Sequence, residues 1–147
     1  MLRPVAALLV AVAAAAALPA WAAEKGSGLY VLALSWEPAF CETHAAKPEC
    51  RNEPEADARR LSLHGLWPRK QYCGVAPATV EADRRGDWSG LPAPDLRPQT
   101  REDLMAAMPG AHSDLDRHEW IKHGTCSGVS ADRYFARAVL FEGTINA

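Results

Sequence analysis

Three of the five histidines in the 147-residue chain, His64, His118 and His123, lie in two short segments whose other residues can also do chemistry. The second segment, His118-Glu119-Trp120-Ile121-Lys122-His123, sets two imidazoles, a carboxylate and an ammonium within six positions. At about 100° per residue, helix positions i, i+1, i+4 and i+5 fall within about 140° of arc, so His118, Glu119, Lys122 and His123 share one helical face. On that spacing His118 pairs with Lys122, and Glu119 with His123. A carboxylate so placed orients a histidine ring and raises its basicity, while a lysine beside a histidine adds positive charge for an anion. Such a set suits general acid–base work on a phosphate. His64 belongs to the other segment, Leu63-His64-Gly65-Leu66-Trp67-Pro68, and His44 and His112 read as solvated.

Other readings fit single residues. Charges at i, i+4 also occur on plain solvated helix faces, a lone strand histidine can be a satisfied structural group, and Trp67 can be core. His118-Glu119-Trp120-Ile121 also begins like the H-E-x-x-H zinc motif. That motif needs its second histidine at i+4, where this chain has Lys122, and His123 is rotated about 140° from His118. A lysine there repels a metal, which argues against a zinc peptidase.

The elements that position these residues can be read from the remainder of the chain. Met1, Leu2 and Arg3, the apolar run Val5–Leu18 and Ala20-Trp21-Ala22 have the pattern of a cleaved signal peptide over residues 1–22. One domain, residues 23–147, is then expected, exported to the periplasm or the medium, with no membrane span. Without Arg3 the basic count falls from 16 to 15 against 18 acids, a net charge near −3, so an anionic substrate needs a local cationic site. Four cysteines in an exported chain read as two disulfides with three possible pairings; no C-x-x-C pair favours zinc.

Residues 29–36 and 61–68 read as short buried strands, each closed by a proline, with a polar surface excursion over 42–60. Residues 74–98 read as a long loop. Three helices are expected after it. The first is capped at Thr100 and stopped by Pro109-Gly110; the second starts at Ser113 and carries His118; the third starts near Ser130 and stops at Gly143. Strands followed by helices point to an α+β fold.

The two histidine segments, the strand Leu32-Ala33-Leu34-Ser35-Trp36 with Pro38, Phe40 and Cys41, and the Tyr72-Cys73-Gly74 and Met108-Pro109-Gly110 neighbourhoods together resemble the ribonuclease T2 family over most of residues 29–141. The resemblance implies a mostly antiparallel central sheet flanked by helices. It also implies a metal-independent endoribonuclease that cleaves single-stranded RNA through a 2′,3′-cyclic phosphate to a 3′-phosphate. His123 would be the general base, His64 the general acid and His118 a phosphate ligand, with Glu119 and Lys122 stabilising charge and Trp67 supporting the phosphate and ribose. The implied pairings are Cys41–Cys50 and Cys73–Cys126, and the implied state is a monomer. Family members run well beyond the second motif, whereas this chain stops 24 residues after His123. The C-terminal part of the family fold is therefore expected to be absent. A non-catalytic secreted RNA-binding protein or inactive remnant is the alternative to an enzyme, and a zinc hydrolase a more distant one.

Overall fold

A computed structural model of the chain describes residues 28–52 and 59–147; the expected signal peptide, with part of the polar excursion, lies outside them. Strand β1 (Tyr30–Ser35) pairs antiparallel with β2 (Ser62–Pro68). Around this ribbon stand six helices among the described residues: α1 (Glu37–Thr43), α2 (Pro48–Asn52), α3 (Pro77–Arg84), α4 (Pro98–Ala107), α5 (Leu115–Lys122) and α6 (Ala131–Ile145). The architecture is α+β, as the order of sequence patterns indicates.

The core lies between β2 and the helices. Leu63 and Leu66 of β2 meet Leu104, Met108, Leu115, Phe135 and Ala138. Tyr134 of α6 is almost fully buried, and its hydroxyl donates to the Leu66 carbonyl at 2.9 Å, locking α6 to the strand. β1 is less buried than its apolar sequence suggests. It has a strand neighbour on one side only among the described residues, and Val31 is 58% exposed.

Two disulfides bind the periphery to this frame. Cys41–Cys50 joins α1 to α2, and Cys73–Cys126 joins the segment after β2 to the turn after α5. Next to the second, the Tyr72 N–H donates to the Lys122 carbonyl at 2.8 Å.

Several local expectations are corrected. Glu37-Pro38 closes β1 but also opens α1, with Pro38 in the first turn, and α2 follows inside the polar excursion. Residues 74–98 are not one loop, because α3 occupies Pro77–Arg84 between a proline in its first turn and Gly86 at φ +77°. Helix α4 begins two residues before Thr100, which is buried rather than capping. Its entry is fixed instead by Arg97, whose N–H and Nε donate to Asp132 at 3.0 and 2.7 Å. Ser113 does not cap α5, since its hydroxyl is turned to Glu49 at 2.5 Å and Asp114 intervenes at φ +64°. Ser130 does cap α6, accepting from the Arg133 N–H. Gly143 fails to stop that helix, which runs on to Ile145, where the Asn146 side chain bonds both the N–H and the carbonyl of Leu61.

Candidate active site

His64 owes its direction to an irregularity in the ribbon. Ala33 pairs with Gly65 and Leu34 with Leu63, so His64 is the extra residue of a bulge on β2. A bulge breaks strict alternation and re-aims a side chain. The His64 ring is 40% exposed, its Nδ1 is 3.4 Å from Ser35 Oγ, and its Nε2 is 3.7 Å from Glu119 Oε1.

Glu119 is the centre of the cluster and has no exposed surface. Its Oε2 accepts from Trp67 Nε1 at 2.8 Å, while Oε1 has no hydrogen-bond partner. Oε1 faces His64 Nε2 on one side and His118 Nε2, 4.0 Å away, on the other. Burial raises the Glu119 carboxyl to about 8, against the smaller opposing pull of the Trp67 hydrogen bond and Lys122. The group is therefore a neutral acid over most of the ordinary pH range, and it can approach an anion without repelling it.

His123 lies one residue beyond the last helical residue of α5, with φ −114°, so the shared face expected from spacing is completed at the helix end rather than on it. Its buried ring stacks on Trp67, with centroids 5.2 Å apart at 22°, and meets the His118 ring at 6.4 Å and 84°. Burial lowers its pKa to about 4, helped by the charges of Lys122 and His118. The expected i, i+4 pairings are replaced by contacts between elements. Glu119 bonds Trp67 rather than His123, and the carboxylate on His118 is Asp83 of α3, 2.7 Å from Nδ1. Side chains that reach across elements outcompete those on one turn because the strand and α3 bring in partners of better geometry.

Asp83, Trp88 and Tyr72 are site residues that the sequence reading missed. Asp83 is fully buried; its other oxygen accepts from the Tyr72 hydroxyl at 2.8 Å, and Trp88 Nε1 donates to its carbonyl at 3.2 Å. Trp88 also stacks on His118 at 4.6 Å. The bracket of Pro77 and Gly86 was the available signal, since it marks a helix and so a face on which Asp83 could point inward.

A cavity of about 370 Å³ opens beside the cluster. His64 and Trp88 belong to its wall, together with Ser35, Phe40, Glu49 and Ser113. Five sequence-selected residues, His64, Trp67, His118, Glu119 and His123, are thus brought into one cluster, and Lys122 acts on it electrostatically.

Residues 27–147 match the model of the Ribonuclease T2 family. The chain belongs to the Ribonuclease T2 family. It is 32% identical over 136 residues to "Ribonuclease I" of Escherichia coli (strain K12), covering 75% of this chain and 51% of that one. It is 38% identical over 103 residues to "Ribonuclease" of Aeromonas hydrophila, covering 69% and 38%. Against "Ribonuclease T2" of Homo sapiens the identity is 29% over 119 residues, covering 74% and 40%. This chain thus spans about half the length of these relatives, or less.

In this Ribonuclease T2 chain, Gly65 is the residue that lets strand and helix meet. A Cβ at that position would collide with the Glu119 carboxylate and Trp67 Nε1. Gly65→Ala should therefore cost about 3 kcal/mol of stability, since buried carboxylate and strand backbone cannot both yield. Urea unfolding measures this; a variant as stable as the parent would show that Glu119 is not packed on the strand.

Proposed function

We propose that the chain carries the catalytic site of a secreted or periplasmic endoribonuclease. It cleaves single-stranded RNA without a metal, forming a 2′,3′-cyclic phosphate that is then hydrolysed to a 3′-phosphate. The observation that carries this reading is the convergence of three imidazoles, from a strand bulge and from one helix and its end, around the buried Glu119.

His123 takes the proton of the 2′-hydroxyl, and the freed oxygen attacks phosphorus. The bond from phosphorus to the 5′-oxygen breaks, and His64 gives that oxygen its proton. In the second step His64 takes a proton from water, and His123 returns one to the 2′-oxygen. His118 and Lys122 hold the phosphate, and neutral Glu119 donates to a phosphoryl oxygen where charge accumulates. Trp67 fixes His123 by stacking and Glu119 by hydrogen bonding. With His64 on its wall, the 370 Å³ cavity receives the departing nucleoside. Export fits the pairing of all four cysteines in disulfides. The enzyme is proposed to act as a monomer without a cofactor.

Cleavage of polyuridine in EDTA, with a cyclic-phosphate product seen by phosphorus NMR, tests the reading. No cleavage by folded protein, or cleavage abolished by EDTA, would overturn it.

The pH dependence follows from the histidines. A base with a pKa near 4 is free above that pH. Burial, then the charges of His118 and Lys122, lower His64 below 6.5, so the acid is protonated only below its depressed value. The kcat/KM profile should rise through pH ~4 and fall from below pH 6.5 upward as His64 and the phosphate-holding His118, both lowered by burial, lose their protons. An optimum above pH 7.5 would contradict these assignments.

A further inference from the structure

The contact between Asp83 and His118 has a consequence for how an anion is bound. A carboxylate only accepts, so His118 Nδ1 must carry a proton to meet Asp83 at 2.7 Å. A neutral His118 then presents a lone pair at Nε2, the atom on the Glu119 side of the ring, and a lone pair repels a phosphate oxygen. Only the imidazolium offers an Nε2–H to the phosphate. Forming that cation in a half-buried site needs a compensating negative charge, and Lys122 on the same helix opposes it.

Resting on the ribonuclease reading, we propose that Asp83 is the positioning residue of His118. Its buried carboxylate, held by Tyr72, fixes the ring against Trp88 and balances the imidazolium that binds the scissile phosphate. The other groups facing His118 do not substitute for it. Glu119 is neutral over most of the ordinary pH range, and His64, His123 and Lys122 are neutral or positive. Burial lowers the His118 pKa, and the Asp83 hydrogen bond and charge work against that fall. Asp83 also ties α3 to α5, so the test must separate an electrostatic role from an anchoring one.

The discriminating variant is Asp83→Asn, which keeps the shape and an acceptor but removes the charge. On polyuridine at pH 6.5 its kcat/KM should fall roughly ten- to hundredfold, the range for losing a charge-assisted hydrogen bond. Most of the loss should appear in KM, because His118 holds the phosphate in ground and transition states alike. The deficit should shrink as the pH falls, because a higher proton activity forms the imidazolium with less help from Asp83. Histidine ring NMR should show His118 titrating at lower pH than in the parent. In a His118→Ala background, Asp83→Asn should change kcat/KM by less than about twofold. Tyr72→Phe should give a smaller change in the same direction, and it serves if Asp83→Asn fails to fold.

An unchanged His118 titration, or an equal loss in the His118→Ala background, would overturn the proposal. The titration needs no turnover, so it separates failure of this proposal from failure of the ribonuclease reading. Were the parent inactive on polyuridine, the shift of His118 in Asp83→Asn would still decide the role of Asp83.

Discussion

His123→Ala and His64→Ala should each lower kcat on single-stranded RNA by about 10²–10⁴-fold, the usual contribution of a positioned acid or base. The two losses arise at opposite ends of one displacement and should differ in their pH signatures. Without His123, the rising limb near pH 4 disappears, because no group with that pKa remains to be freed. Without His64, the falling limb loses that residue's share and keeps the share of His118, whose imidazolium holds the phosphate. Neither change should unfold the protein. The His64 ring is 40% exposed, while His123 gives up a stack on Trp67 worth about 1 kcal/mol. Steady-state kinetics with thermal melts would check both points. Normal cleavage by either variant would remove the corresponding assignment.

Glu119→Gln should make the protein more stable and keep most of the activity that Glu119→Ala loses. The folded carboxyl titrates near 8, against 4.5 in the unfolded chain. Below pH 4.5 it is protonated in both states, and the substitution changes little. Between 4.5 and 8 the unfolded chain ionises while the folded one does not, so the parent loses stability progressively. Above pH 8 the whole cost is present, and Gln escapes it by roughly 2 kcal/mol or more. The gain should therefore grow with pH and level off near 8. For catalysis, Gln still accepts from Trp67 through its carbonyl and presents an N–H where the neutral acid presented its proton. Ala presents nothing and strands the Trp67 N–H, and a loss of about 10²–10³-fold in kcat is expected, as for removing a donor to a developing oxyanion. Equal inactivity of Gln and Ala would mean that an ionised carboxylate is required.

How much of this was legible in the sequence depended on range. The two strands were found to within a residue or two because a short apolar run, aromatic content and the prolines are local. The same holds for the Ser130 cap of α6. What escaped was set by partners distant in sequence. Thr100 looked like a cap, but the start of α4 was decided by Asp132, 35 residues away from Arg97. Gly143 looked like a stop, but Asn146 is held by Leu61, 85 residues away, and draws the helix on. The same division runs through the site. The histidine segments declared themselves by residue type, yet Glu119 finds Trp67 52 residues away and His118 finds Asp83 35 residues away. Helical spacing places side chains on a face; it does not say what the next element offers them. The bulge that aims His64 was also silent, since a one-residue insertion against β1 leaves no mark on a seven-residue strand.

The central claim is the division of labour between His123 as base and His64 as acid. It is tested most directly with a uridine 3′-(4-nitrophenyl) phosphate, whose leaving group departs without protonation. On this substrate His64→Ala should recover to within about tenfold of the parent, while His123→Ala stays depressed by 10²-fold or more. Equal impairment of both variants, or recovery of His123→Ala alone, would contradict the account.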